Sequence, residues 1–171
     1  MNSSSLKVSV IILSFNQAEF IAEAINSVLN QTYKNLEIII SDNGSTDSTK
    51  EIIESFLSDE RIIFLKYTEN QSISLRQNQA AQKSSGEFIS LLYADDYYMP
   101  NKIEHQLEIF STLSDEWGVV HGPGMELDNK TGNQQIISST AAHGKSLITL
   151  LQYYSDGFIN PISPLVRRKV Y

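Results

Sequence analysis

The feature that most constrains the fold is a repeated exchange between two hydrophobic periods. Val8, Val10, Ile11, Ile12 and Leu13 form a short, β-branched run that is apolar on both faces, which predicts a strand covered on both sides, as in the middle of a parallel sheet. Phe20, Ile21, Ala24, Ile25, Val28 and Leu29 then recur at helical intervals. Asn16 and Glu19 have N-cap and capping-box spacing, so a helix opening at Asn16 is predicted. Residues 36–40 read as a second strand, followed by a polar turn and a helix from about Ser48 that carries Ile52, Ile53, Phe56 and Leu57 on one face. Residues 62–67, 74–84, 88–92 and 102–112 continue as strand, helix, strand and helix. This alternation predicts an α/β fold with an open, doubly wound, mainly parallel sheet flanked by helices, whose ligands lie outside the carboxyl ends of the strands.

Beyond a further predicted strand at 117–121 the pattern loosens. Residues 122–142 are rich in Gly, Asn, Ser and Thr and read as loop, with a helix at 145–154 and an apolar run at 162–166 after them. The chain stops at Tyr171 with neither a polar tail nor a helix stop signal, as a piece of a longer protein would. Its 171 residues, 41% hydrophobic, suit one domain.

Composition narrows the chemistry. With no cysteine, any metal must be held by oxygen or imidazole. A net charge of −7 repels a phosphate backbone, so no nucleic-acid partner is expected; the tight basic cluster Arg167-Arg168-Lys169 is either a solvated face or a phosphate contact. The apolar run at 8–13 is too short for a signal segment and no run is long enough to span a membrane, so the expected location is cytoplasmic. A missing C-terminal part leaves room for peripheral membrane association.

Polar residues crowd at the carboxyl ends of three predicted strands: Ser14-Phe15-Asn16, Asp42-Asn43-Gly44-Ser45-Thr46-Asp47, and Asp95-Asp96. Any strand-to-helix turn favours residues like those at 42–47, so a turn with a helix cap accounts for them as well as a site does. Asp95-Asp96 has a bland reading too, as a solvated pair in the loop before Pro100. Two adjacent carboxylates held after a buried strand nevertheless repel, and one pKa rises unless a cation intervenes. A hard ion such as Mg²⁺ or Mn²⁺ resolves that conflict, taking one or two carboxylates and filling its remaining positions with water and phosphate oxygens. His105 and His143 read as surface residues, and His121 stands at a strand end.

The segment from Val8 to Thr49, with its strand, Phe-Asn turn, helix ending in Ser-Val-Leu-Asn-Gln-Thr-Tyr and Asp-Asn-Gly-Ser-Thr-Asp, resembles the opening of family 2 glycosyltransferases. The likeness continues through Glu69-Asn70, Asn78, Ser85-Gly86-Glu87-Phe88-Ile89 and Tyr93-Ala94-Asp95-Asp96 to Pro164-Leu165-Val166-Arg167-Arg168, in order, over residues 7–171. It implies a GT-A fold and hexosyl transfer, with inversion, from a nucleoside-diphosphate sugar such as a UDP-sugar to a saccharide or lipid-linked acceptor, usually with Mg²⁺ or Mn²⁺, in cell-surface polysaccharide biosynthesis. Residues 7–121 would be the nucleotide-sugar-binding part and 122–171 the start of the acceptor side.

By the same resemblance, Ser14, Phe15 and Asn16 belong to the nucleotide-sugar site, with the Phe15 ring packing on the base. Asp42 and Asn43 lie near base and ribose, the Asn43 amide oxygen standing where a carboxylate often accepts the uracil imide proton. Asp95 contacts ribose or sugar, and Asp96 is the metal ligand. Two positions depart from the family's pattern. Arg76 falls one position early in Leu75-Arg76-Gln77-Asn78, and Tyr93 replaces the first acid of Asp-Ala-Asp-Asp. The catalytic residue is unassigned: the family's general base falls beyond Tyr171, and Asp128 and Asp156 carry no matching motif. A sugar-phosphate nucleotidyltransferase would need a glycine-rich loop after the first strand, and residues 14–20 contain no glycine. A donor-binding but catalytically silent module is the other alternative.

Overall fold

The computed structural model describes residues 6–137 and 164–171. Its elements run β1 (Val8–Ser14), α1 (Ile21–Leu29), β2 (Leu36–Asp42), α2 (Thr49–Glu54), β3 (Ile62–Lys66), α3 (Ile73–Lys83), β4 (Phe88–Tyr93), α4 (Lys102–Thr112), β5 (Val119–Val120), β6 (Gly124–Leu127), β7 (Gln134–Ile137) and β8 (Leu165–Arg167). Six strands form one sheet in the order β3-β2-β1-β4-β8-β5. β1 pairs in parallel with both β2 and β4, β2 in parallel with β3, and β8 runs antiparallel between β4 and β5. The chain winds outward from β1 through β2 to β3 and then returns to β4 on the other side of β1. The carboxyl ends of β1 and β4 therefore flank a topological switch point, where open α/β sheets form their crevice.

Every residue of β1 and β2 is buried. Alternation of side chains divides the core into two layers. Val8, Val10 and Ile12 share a register with Phe88 and Leu92 and pack against α1 and α4, while Ile11, Leu13, Ile39 and Ile89 pack against Ala80 of α3. At about 1.5–3 kcal/mol for each fully buried large aliphatic side chain, these layers fix the sheet register, because a one-residue slip would exchange the layers. Among the described residues no helix is long and apolar enough to cross a membrane.

Three sequence expectations change. α1 begins at Ile21, because Asn16 adopts φ 52° and so leaves the extended conformation that a capping residue needs; Gln17 O instead closes a turn by accepting from the backbone N–H of Phe20 and Ile21. α2 ends at Glu54, leaving Leu57 exposed while Phe56 packs on the core. The expected loop at 122–142 contains a hairpin, β6 with β7. Asp128 builds its turn, accepting from Lys130 N, Thr131 N and Thr131 Oγ1, with Gly132 at φ 72°. The predicted helix at 145–154, together with His143 and Asp156, lies outside the described residues.

The amino ends of β1 and β2 are pinned by one carboxylate. Buried Glu37 accepts from Ser9 Oγ at 2.5 Å, Ser85 Oγ at 2.8 Å, Gly86 N at 3.0 Å and Ser85 N, and pairs with Lys7 Nζ at 3.0 Å. Gly86 has no room for a side chain here, since a Cβ would stand 2.6 Å from both Ser9 N and Ser9 Oγ. Burial opposes the charge of Glu37, but the bonds from Ser9, Ser85 and Lys7 outweigh it and lower the pKa from 4.5 to about 2. A depressed carboxylate pKa contributes stability above the unfolded value that is lost as pH falls through the folded one. Between pH 5 and pH 2 the wild type should therefore lose about 3 kcal/mol more stability than Glu37→Gln, as measured by urea denaturation at several pH values. Parallel acid profiles for the two proteins would refute this assignment.

Candidate functional site

A cavity of about 560 Å³ opens at the switch point, bordered by Leu13, Phe15, Asn43, Arg76, Tyr93 and Asp96. Ser14 and Asp95 also line it, whereas Asn16 and Asp42 do not. Of the residues the sequence nominated, the structure thus gathers Ser14, Phe15, Asn43, Asp95 and Asp96 around one space.

Asn16 and Asp42 instead shape the two loops beneath the cavity. Asp42 is fully buried and accepts from Ser45 N at 3.0 Å and from Ser45 Oγ, with Lys50 Nζ 3.8 Å away. Ser45 Oγ in turn accepts from Asn16 N at 2.8 Å, and Asn16 Oδ1 accepts from Thr46 N at 2.8 Å. Asp47 accepts from Ala18 N and from the Thr49 hydroxyl, and Thr49 Oγ1 accepts from Gln17 N. The polar residues after β1 and β2 therefore stitch one loop to the other. Gly44, at φ 82°, lets the second loop pass beneath the chain at 69–70, where a Cβ would lie 2.7 Å from the Glu69 carbonyl carbon.

One wall is a closed hydrogen-bond network. Asn43 Oδ1 accepts from Arg76 Nε at 2.8 Å and Gln71 N at 2.9 Å, while its Nδ2 donates to Asn70 Oδ1 at 2.9 Å and to Gln71 O at 2.8 Å. An amide has two acceptor positions and two donor hydrogens, so all four are engaged, and the acceptor expected to meet a uracil imide is occupied by protein. Arg76, buried, also donates to Glu69 O at 2.6 Å and Gln79 Oε1 at 3.0 Å, and its guanidinium stacks 3.6 Å from the Tyr67 ring centroid. The one-position shift noted in the sequence thus yields a wall residue locked on four sides. In contrast, the hydroxyls of Ser14 and Ser41 are buried without a hydrogen-bond partner among the described residues. Ser41 was not among the sequence candidates, although a serine closing the apolar run Ile38-Ile39-Ile40 was visible there.

Opposite this wall, β4 ends at Tyr93 and delivers Asp95 and Asp96. Burial, with the neighbouring charge of Asp95, holds the Asp96 carboxyl above its ordinary pKa. No cluster of three or more His, Cys, Asp or Glu side chains stands ready to ligate a metal among the described residues. The donor set is two carboxylates, one of them strained by its neighbour, and this fits a hard divalent ion that takes most of its ligands from water and a diphosphate. The same pair, with Tyr93, lines a second cavity of about 710 Å³ toward α4 and the β6–β7 hairpin. Lys102 borders it, donating to Ser90 Oγ at 2.9 Å beside the Tyr98 ring, and burial lowers its pKa to about 7.

Other charged candidates lie elsewhere. Arg168 donates to Ser84 Oγ and Gly86 O, and Arg167 stacks on Phe88 and Phe110, so the basic cluster braces the amino end of β4 and lines neither cavity. His105 is exposed, 3.6 Å from Glu108. His105 and His121 border only the second cavity.

The chain is 34% identical over 174 residues to an uncharacterized glycosyltransferase of Rickettsia typhi, covering 99% of this chain and 54% of that protein. It is 39% identical over 105 residues to the UDP-Glc:alpha-D-GlcNAc-diphosphoundecaprenol beta-1,3-glucosyltransferase WfaP of Escherichia coli, covering 61% of this chain and 41% of that one. It therefore spans about half the length of these relatives. In fold it is similar to residues 1–349 of S. aureus TarS, solved in complex with UDP-GlcNAc, with a TM-score of 0.74 at 21% identity over 96% of this chain and 46% of that one. The family model Glycosyl transferase family 2 matches residues 9–171, and with the parallel sheet and its switch-point cavity this places the chain in glycosyl transferase family 2.

Proposed function

We propose that the protein to which this chain belongs transfers a hexosyl group, with inversion, from a nucleoside-diphosphate sugar, a UDP-sugar foremost, to a hydroxyl of a saccharide or lipid-linked acceptor during cytoplasmic assembly of a surface polysaccharide. The observation that carries the reading is the pair Asp95-Asp96 standing between two cavities, across the first from the Asn43–Arg76 wall. The donor nucleotide fits the first cavity and the acceptor approaches from the second. TarS was solved with UDP-GlcNAc and WfaP is named for UDP-Glc, which supports a uridine donor here.

Phe15, 39% exposed, offers a flat ring on which a base packs with little loss of side-chain freedom. Ser14 and Asn43 complete the nucleoside pocket, and Asp42 and Asn16 hold its floor. Asp95 faces the ribose or sugar. Asp96, with Asp95 beside it, would hold Mg²⁺ or Mn²⁺. When bound, such an ion supplies positive charge against the diphosphate leaving group. In the transfer, the acceptor oxygen bonds to the anomeric carbon, the bond from that carbon to the diphosphate oxygen breaks, and the nucleoside diphosphate leaves with the electron pair. The acceptor proton passes to a base that we place beyond Tyr171.

Two outcomes test this reading. In calorimetric titrations with UDP and Mn²⁺, Asp96→Asn should weaken binding about 10- to 100-fold and Asp95→Asn less, because a neutral amide is a poorer ligand for a hard cation. Affinity that is unchanged by EDTA would remove the role given to Asp96. A version extended past Tyr171 should release UDP from donor and acceptor at least about 10²-fold faster than this chain at similar nucleotide affinity, since general-base assistance contributes about 10²–10⁴-fold. Comparable turnover by both would place the base within residues 1–171.

A further inference from the structure

Resting on the nucleotide site just proposed, a further assignment concerns how the base is read. Across the carboxyl end of the sheet, Ser41 of β2, Leu13 of β1 and Tyr93 of β4 are direct register partners, so their side chains share the face that packs on α3. All three line the cavity, and Ile73 and Arg76 of α3 line it from the same side. Two strand spacings, about 9–10 Å, separate the β2 and β4 columns. A nucleoside diphosphate with its diphosphate at Asp95-Asp96 therefore lays its ribose over the end of β1 and its base toward β2.

At that end the polar groups are unequal. Asn43 has every hydrogen-bonding position engaged by Arg76, Asn70 and Gln71. Ser41, wholly buried, has a hydroxyl with no partner among the described residues. Ser14 carries the other unpartnered hydroxyl, but it registers with Asp42, whose side chain belongs to the opposite face. An unpaired buried hydroxyl is costly, and the cost is recovered when a ligand supplies the missing partner. A hydroxyl can also donate or accept, so it can meet either a ring N–H or a carbonyl of a base.

We propose that Ser41 is a specificity-determining residue whose hydroxyl hydrogen-bonds the polar edge of the donor's nucleobase, beside the wall in which the Asn43 amide holds the 69–71 segment and Arg76. Asn43 thereby builds the wall, and Ser41 reads what enters.

The test compares the wild-type chain with Ser41→Ala in calorimetric titrations with UDP and with ribose 5-diphosphate, the same ligand without its base, both with Mn²⁺. If the wild type prefers GDP or dTDP to UDP, that nucleotide is used instead. Ser41→Ala should bind the nucleotide about 3- to 10-fold more weakly, as loss of one neutral hydrogen bond implies, and bind ribose 5-diphosphate unchanged. Its melting temperature should be equal to or above that of the wild type, because the orphan hydroxyl is gone. Undiminished nucleotide affinity, or an equal loss for both ligands, would overturn the assignment of Ser41. Failure of the wild type to bind any of the three nucleotides would overturn the donor-site reading itself, and this assignment with it.

Discussion

β1 is buried along its whole length between two parallel partners, so its backbone groups are committed to β2 and β4 and its side chains to two helical layers. Such a strand can present chemistry only where it stops. Register then decides which neighbours share that end: Leu13 stands level with Ser41 and Tyr93, and Ser14 level with Asp42. The winding order, outward to β3 and back to β4, splits the loops that follow β1 and β4 and leaves room between them. The cavity is thus a consequence of topology before any residue lining it is considered.

The loops have to solve a second problem, which is to leave the sheet without stranding polar backbone. They do so by spending Asp42, Ser45, Asp47 and Asn16 on each other and on backbone N–H groups. What lines the cavity is the remainder: an aromatic ring, the orphan hydroxyl of Ser41, a pair of carboxylates and a wall whose amide is already saturated. A motif rich in acids and amides can therefore be mostly scaffold. Asp42 and Asp96 are the same residue type, one ending β2 and the other just past β4, yet one is enclosed by donors and the other stands beside a second carboxylate.

Much of this was legible in the sequence. The apolar runs gave the strands, helical spacing gave α1 and α4, and the clustering of polar residues at strand ends pointed to the cavity. Three things escaped for physical reasons. Asn16 has capping spacing, but the bond to Thr46 that accompanies its left-handed backbone comes from a residue thirty positions away. The hairpin at Gly124–Leu127 and Gln134–Ile137 has strands of four residues each, too short to show a period, and its turn chemistry reads as loop. The saturation of Asn43 depends on Arg76, Asn70 and Gln71 arriving together, which no local pattern encodes. Ser41 had a signal, parity with Leu13, but parity has meaning only once the pairing is known.

The antiparallel strand β8 sits between β4 and β5, pairing Leu165 with Ser90 on one side and with Val120 on the other. During synthesis the ribosome therefore releases the four parallel strands long before the segment that covers the flank of β4. In that interval β4 presents unpaired amides and carbonyls next to Ile89 and Leu91, the kind of open edge that recruits other chains. Arg167 and Arg168 arrive with β8 and seal that flank, one over the Phe88 and Phe110 rings and the other on Ser84 and Gly86. The nascent chain is thus most vulnerable to misassembly after its switch-point cavity is complete and before its sheet is.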